Sequence, residues 1–262
     1  MQTGVRAKVD EVVLWRRLAA EFAGSAFLAA TVIDAAIPEP ITVAATAAGL
    51  FAIILMFGPV SGGHFNPVVS FADAAFGGLS WRDAAAYLPA QVGGCVFGAV
   101  VANLMFASAA VSISAKDRAT GPHFLSEIVA TLGLVLVIFA LARSDRSRST
   151  PAAVGAYIGA AYFFTSSTSF ANPAITVGRM FSDTFAGIAP ASAPAFIAAQ
   201  VIGGALAVGL IRALYPGVTS AEAERILLPH AAAGGTLTSR AASDGAAGQT
   251  GELGQSASNR PA

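Results

Sequence analysis

Two short stretches decide the fold of this chain: residues 61–68 read Ser-Gly-Gly-His-Phe-Asn-Pro-Val, and residues 167–174 read Ser-Thr-Ser-Phe-Ala-Asn-Pro-Ala. Asparagine is a good helix N-cap and proline suits the first helical position, so each Asn-Pro pair predicts a helix start. The predicted helices, Asn66–Phe76 and Asn172–Ser182, would each reach about 16 Å, roughly half the hydrocarbon thickness of a membrane. The sequence therefore predicts two re-entrant half-helices.

The composition is that of a membrane protein. Hydrophobic residues make up 55% of the 262 residues and charged residues only 11%, whereas a soluble domain averages about 25% charged residues. The net charge is zero, so no global field favours a nucleic-acid partner. Six apolar segments are long enough to cross a bilayer as helices: about Leu18–Ile37, Ile41–Val60, Ala84–Ser108, Phe124–Ala142, Ala152–Thr168 and Ser192–Leu214.

An internal repeat divides these segments into two groups of three. Glu21 precedes Asn66 by 45 residues, Glu127 precedes Asn172 by 45 residues, and the whole pattern recurs with an offset of 106. Three spans per half is an odd number, so the two halves must have opposite orientations in the membrane. Inverted repeats place their site near the bilayer midplane, where interrupted helices meet. The two half-helices should therefore meet at their Asn-Pro ends.

A helix N-terminus carries unpaired N–H donors and about half a positive charge. Two such ends facing one point would repel cations and hydronium, because the positive ends of half-helix dipoles form an electrostatic barrier. Asn66 and Asn172 could each cap the backbone and still aim N–H donors at a passing water or hydroxyl. A lone Asn-Pro pair would indicate only a helix cap, but the pair at a repeat offset favours a pore.

At these motifs the chain resembles the major intrinsic protein (aquaporin and aquaglyceroporin) family over about Leu18–Tyr215. The resemblance is carried by Asn66, Pro67 and Val68 with the five residues before them, by Asn172, Pro173 and Ala174, and by Glu21 and Glu127. It implies an all-α, right-handed bundle of six transmembrane helices with two re-entrant half-helices. It also implies a homotetramer with one pore in each subunit.

The resemblance gives the two glutamates a role in bracing the backbone of the re-entrant loops. The alternative is a proton relay, which the sequence disfavours because no Lys, Arg or other carboxylate lies deep in the spans to continue it. His64 is expected to be a hydrogen-bonded loop residue, since no second His or Cys lies at metal-ligand spacing. The sequence predicts no metal and no cofactor.

The chain departs from the family at the predicted selectivity filter. The family usually has an arginine directly after the second Asn-Pro-Ala, where this chain has Ile175. Ungapped counting back from the motifs gives Thr46, Ala160 and Ser169 as the other filter positions, with small gaps moving the first to residue 47 or 48. Without the arginine's fixed charge and donors, the filter is predicted to be wide and uncharged, so that larger neutral polyols fit.

Arg179 lies four residues after Ile175, on the same helix face. It could supply charge to the outer vestibule, but pairing with Asp183 or an interfacial position is the expectation. The stretch Asn172–Ile188 resembles a bacterial branch of the family linked to arsenic handling. That resemblance implies undissociated arsenite, a neutral trihydroxide shaped like glycerol, as a solute.

Positive charge predicts cytoplasmic termini in an inner membrane. With both termini inside, twelve Lys and Arg residues lie inside, and Lys116, Arg118 and Arg179 lie outside. The predicted organisation is a cytoplasmic N-terminal segment (1–17), a channel domain (18–215) with repeats at about 18–108 and 122–215, and a disordered tail (216–262).

A passive channel for water and small neutral solutes is the predicted function, with a mainly water-selective pore as the alternative. A gradient-coupled transporter would need a charged relay. An enzyme would need partners for His64, His123 or His230, and none is evident in the sequence. The predicted partners are the solutes, the lipid bilayer and further copies of this chain.

Overall fold

The structure is a computed structural model that describes the backbone over residues 2–33 and 39–216 and the side chains over residues 12–33 and 41–216. The predicted tail, beyond Pro216, lies outside the described residues. Within them the chain forms eight α-helices and no strand: α1 (Gln2–Val32), α2 (Glu39–Ser61), α3 (Pro67–Phe76), α4 (Trp81–Met105), α5 (Gly121–Arg143), α6 (Thr150–Phe164), α7 (Pro173–Gly178) and α8 (Ala193–Leu214).

The six predicted apolar segments correspond to the six longer helices. By length and composition, four of them can cross a membrane, namely α2 from Ile41 onward, α4, α5 and α8. The first segment lies at the end of α1, whose earlier turns carry charged residues, and the fifth lies in α6, which has only 15 residues. The all-helical membrane fold is therefore confirmed.

The two Asn-Pro pairs begin the short helices α3 and α7. Oδ1 of Asn66 accepts a hydrogen bond from the backbone N of Val68 at 3.0 Å, and Oδ1 of Asn172 accepts one from Ala174 at 2.9 Å. α3 ends at Phe76, the residue predicted as its end, and Gly77 caps it in the left-handed conformation. α7 is shorter than predicted, because the chain changes to a 3-10 turn over Arg179–Phe181.

The two repeats pack in the same way. α1 packs against α4, and α5 packs against α8. Both contacts depend on a glycine that lets two backbones approach: a Cβ at Gly94 would lie 2.2 Å from the carbonyl O of Phe22, and one at Gly203 would lie 2.4 Å from that of Ile128. α3 also contacts α8, and α7 contacts α4. Each half-helix is therefore seated partly by the other repeat.

Candidate pore

The two loops that lead into α3 and α7 have the same unusual backbone. Three positions in each loop, related by the offset of 106, have positive φ: Gly62 and Thr168, Gly63 and Ser169, and Phe65 and Ala171. Left-handed backbone is costly for residues with a Cβ. The second loop holds this conformation without any glycine, so the surrounding structure must enforce it.

Glu21 holds the first loop in place from α1. Its Oε1 accepts hydrogen bonds from the hydroxyl of Ser61 at 2.6 Å and the backbone N of His64 at 3.0 Å. Its Oε2 accepts from the backbone N of Phe65 and from Nε2 of Gln91, both at 2.7 Å. The carboxylate is fully buried, and this set of donors offsets the cost of burying it.

Glu127 makes the equivalent contacts with the second loop from α5. Its two oxygens accept hydrogen bonds from the backbone N of Phe170 and of Ala171, each at 2.9 Å. Nε2 of Gln200 donates to Oε2 at 2.7 Å. Both carboxylates thus bond two successive backbone N–H groups of their loop, which is the arrangement that a bracing role requires.

The two asparagines each reach across to the opposite loop. Nδ2 of Asn66 donates to the carbonyl O of Ala171 at 2.7 Å, and Nδ2 of Asn172 donates to the carbonyl O of Phe65 at 2.7 Å. An amide nitrogen has two N–H groups, so one of each pair remains for the lumen. Donation by these asparagines to a solute stays a prediction, and it depends on that second N–H.

One cavity of about 60 Å³ runs beside both motifs, with room for a few water molecules. Apolar side chains form most of its wall. Its polar side chains are few, and they come from both repeats: Thr46, His64, Asn66, Thr150, Tyr162, Ser169, Asn172 and Arg179.

Three of the four predicted filter residues line this cavity: Thr46, Ser169 and Ile175. All three are buried, and the hydroxyls of Thr46 and Ser169 have no hydrogen-bond partner among the described residues. Unpartnered buried hydroxyls are costly unless a solute or water bonds them. Their assignment to a filter stays a prediction that this placement supports.

The prediction for Ala160 was wrong in placement. Ala160 is exposed and does not line the cavity, whereas Val154, Ile158 and Tyr162 of the same helix do. Each residue turns an α-helix by about 100°, so a counting error of two residues points a side chain to the opposite face. The count back from Asn172 crosses the irregular residues 165–171, where such an error arises.

The expected pairing of Arg179 with Asp183 is absent from the described residues. The Arg179 side chain is only 2% exposed, its Nε donates to the carbonyl O of Ala186, and its guanidinium lies 3.4 Å from the centroid of the Phe170 ring. Oδ1 of Asp183 instead accepts from the backbone N of Ala115. Because Arg179 lines the cavity, the pore wall is not uncharged.

Sequence reasoning missed Asp73 altogether. This carboxylate is 3% exposed, and its Oδ2 lies 3.3 Å from Nε2 of His64. The repeat could have indicated this residue, because Asp73 and Arg179 are 106 residues apart and each follows its asparagine by seven residues. Besides Glu21 and Glu127 on the longer helices, charged residues therefore also lie buried on α3 and in the turn that follows α7.

Comparison with known proteins places these features in a family. The model of the major intrinsic protein family matches residues 8–170. Aquaglyceroporin AqpS of Rhizobium meliloti (strain 1021) is 43% identical over 216 residues, which cover 78% of this chain and 92% of that protein. Aquaporin NIP1-4 of Oryza sativa subsp. japonica is 34% identical over 163 residues, 60% of each chain.

A solved structure shows the same fold. The aquaglyceroporin from Plasmodium falciparum superposes with a TM-score of 0.59 at 19% identity, covering 76% of this chain and 95% of that one. The family match covers more than half of the chain, and the relative from R. meliloti covers more than three quarters of it. This chain belongs to the major intrinsic protein family.

Proposed function

We propose that this chain is a passive channel that conducts water and glycerol-like neutral solutes across the inner membrane. One observation carries the proposal: a single cavity touches both half-helix starts, and its apolar wall carries a sparse row of unpartnered hydroxyls. The relatives named as aquaglyceroporins support the same solute class. They are channels, so we propose no enzymatic activity.

The wall suits a polyol because it offers two kinds of surface along its length. α2 and α6 contribute matching rows, 104 residues apart, in which a threonine is followed by two aliphatic residues: Thr46, Leu50 and Ile54 from α2, and Thr150, Val154 and Ile158 from α6. The threonine hydroxyls can bond the hydroxyls of a polyol, while the aliphatic side chains contact its carbon atoms.

Undissociated arsenite is a further solute that we propose, because it is a neutral trihydroxide close to glycerol in shape. The cavity offers it the same hydroxyl partners and contains no described feature that separates it from glycerol. Arsenite uptake by proteoliposomes should exceed that of empty liposomes. Uptake no higher than in empty liposomes would refute the metalloid part and leave the glycerol part standing.

Stopped-flow light scattering on proteoliposomes tests the proposal directly. The purified chain should accelerate both water and glycerol equilibration, with rates that do not respond to proton or sodium gradients. Gradient dependence would indicate a coupled transporter, and water flux without glycerol flux would indicate the water-selective alternative.

Ile175→Arg tests the filter. It restores the family's usual residue at a buried position of the cavity wall, and it should reduce glycerol flux more than water flux. Ala160→Ser on the exposed face of α6 is the matched control and should change neither. Equal losses of water and glycerol in Ile175→Arg would count against the filter assignment.

Two coarser features of the proposal concern assembly and orientation. We propose a homotetramer with both termini in the cytoplasm, in line with the Arg and Lys bias of the predicted inner loops. Native mass spectrometry of the detergent-solubilised chain tests the first, and reporter fusions at each terminus test the second. A monomer, or a terminus reported on the outer side, would contradict the respective part.

A further inference from the structure

The side chain of Arg179 is buried in the wall of the cavity without an acidic partner. It is 2% exposed and lines the cavity together with Ile175, one helical turn before it. No ion pair to Arg179 occurs among the described residues; its contacts are the carbonyl O of Ala186 and the ring of Phe170. A buried cation without a carboxylate is costly in a membrane protein unless it faces a polar lumen.

The guanidinium keeps most of its donors for the lumen. It carries five N–H groups, and within the described residues only the Nε–H makes a hydrogen bond, to Ala186. The four N–H groups on the two Nη atoms remain. Thr46, Thr150 and Ser169 line the same cavity with hydroxyls that have no partner among the described residues. The wall therefore offers the guanidinium donors and three hydroxyls.

The repeat places this position beside the cavity wall. Asp73, the equivalent residue of the first half-helix, lies against His64, just as Arg179 lies against Phe170. His64 and Phe170 are themselves 106 residues apart, and both line the cavity. The seventh residue after each asparagine therefore contacts the cavity wall in both halves of the molecule.

We propose that Arg179 is a specificity-determining residue of the channel, the cationic hydrogen-bond donor that the pore would otherwise lack with Ile175 after its second motif. Resting on the proposed function, this assigns Arg179 two tasks: excluding cations, and bonding the hydroxyls of a polyol as it passes. The planar guanidinium of an arginine can bond two adjacent hydroxyls at once, which suits a polyol better than the ammonium of a lysine does.

Arg118 provides a matched control. It is also buried, and its guanidinium lies 5.2 Å from the centroid of the same Phe170 ring. Its donors, however, bond the backbone carbonyls of Gly187, Phe185 and Ser167, and it does not line the cavity. Arg118 is therefore a cation in the same region that acts only on the backbone of the loops.

The test compares Arg179→Gln, Arg179→Lys and Arg118→Gln with the wild type in proteoliposomes. Fluxes of water, glycerol, ribitol and sodium are measured. Arg179→Gln should lower the ribitol-to-water flux ratio roughly threefold to tenfold, the size expected from one or two lost hydrogen bonds, and should admit sodium. Arg179→Lys should still exclude sodium but lose part of the discrimination among polyols. Arg118→Gln should keep the wild-type ratios.

Ratios in Arg179→Gln within about twofold of the wild type, or an equal change in Arg118→Gln, would overturn the proposal. A wild type that conducts no glycerol would instead refute the proposed function. If Arg179→Gln does not insert, Arg179→Cys answers the question, because the single native cysteine, Cys95, is buried. A thiosulfonate reagent should label Cys at position 179 through the lumen and slow glycerol flux; unchanged flux after exposure to the reagent would also overturn the proposal.

Discussion

Oδ2 of Asp73 lies 3.3 Å from Nε2 of His64, and both side chains are buried. In the second repeat the equivalent residues are Arg179 and Phe170, with the cation over the ring. The two half-helices thus present opposite charges at the same repeat position, each against a ring that lines the cavity. The two repeats therefore differ in the charged residue type that they place beside the cavity wall.

His64→Phe copies the second repeat onto the first and removes the partner of Asp73. Leaving a buried polar group without its partner typically costs about 1–3 kcal/mol, so the variant should unfold more easily in detergent. The double variant His64→Phe with Asp73→Asn should recover part of the loss, because no uncompensated carboxylate remains. Equal unfolding free energies for the single and double variants would contradict this.

Glu21→Gln should be more damaging than Glu127→Gln. Each carboxylate accepts from two backbone N–H groups and a glutamine amide, but Glu21 also accepts from the hydroxyl of Ser61. An amide has only one acceptor oxygen, and each donor left unpaired costs about 1–3 kcal/mol. Thermal unfolding in detergent measures the order, and the reverse order would show that Ser61 contributes little.

Thr168→Gly and Gly62→Ala form a pair of opposite predictions. The two positions are equivalent in the repeat, with φ of 62° and 96°. Glycine at 168 removes a left-handed threonine and should leave stability unchanged or raise it by up to about 1 kcal/mol. Alanine at 62 should cost about 1–2 kcal/mol. Destabilisation by Thr168→Gly would mean that the threonine side chain holds the loop.

Asp117→Asn tests the loop between α4 and α5. The Ser192 hydroxyl and the backbone N of Ala119 donate to this carboxylate and hold its pKa below the ordinary carboxyl value. A lowered pKa stabilises the fold at pH values above the ordinary value of about 4, and the contribution is lost as pH falls through the folded pKa. The wild type should therefore be more stable than Asp117→Asn near neutral pH, and the gap should close in acid. A gap that does not vary with pH would contradict this.

The sequence predicted the architecture well because that information is local. Asn66-Pro67 and Asn172-Pro173 favour a helix start through their own backbone chemistry, and a long apolar run has few structures available to it in a membrane. The positions on α6 depended instead on geometry across the loop 165–171, whose positive φ values no counting rule anticipates. For that reason, counting gave Ala160, which lies on the exposed face of α6. The same counting gave Thr46, on a regular helix, which lines the cavity; its filter role stays a prediction.

Charge placement was the other limit. The chemistry of Arg179 and Asp183 allows an ion pair four residues apart, but the 3-10 turn after Gly178 and the carbonyl of Ala186 decide otherwise. Both features belong to the tertiary structure and cannot be read from the spacing of the two residues. The repeat offset linking Asp73 to Arg179 was nevertheless visible in the sequence, and it could have indicated that both side chains meet the pore wall.

The hydrogen bonds from Asn66 to Ala171 and from Asn172 to Phe65 have a consequence for how the protein is made. The partners in the first are 105 residues apart and in the second 107, so at usual synthesis rates roughly 5–20 s separate them on the ribosome. During that interval the first half-helix has neither its cross-loop acceptor nor the contacts of α8. The first loop therefore stays without its cross-loop hydrogen bonds until the second half of the chain is made.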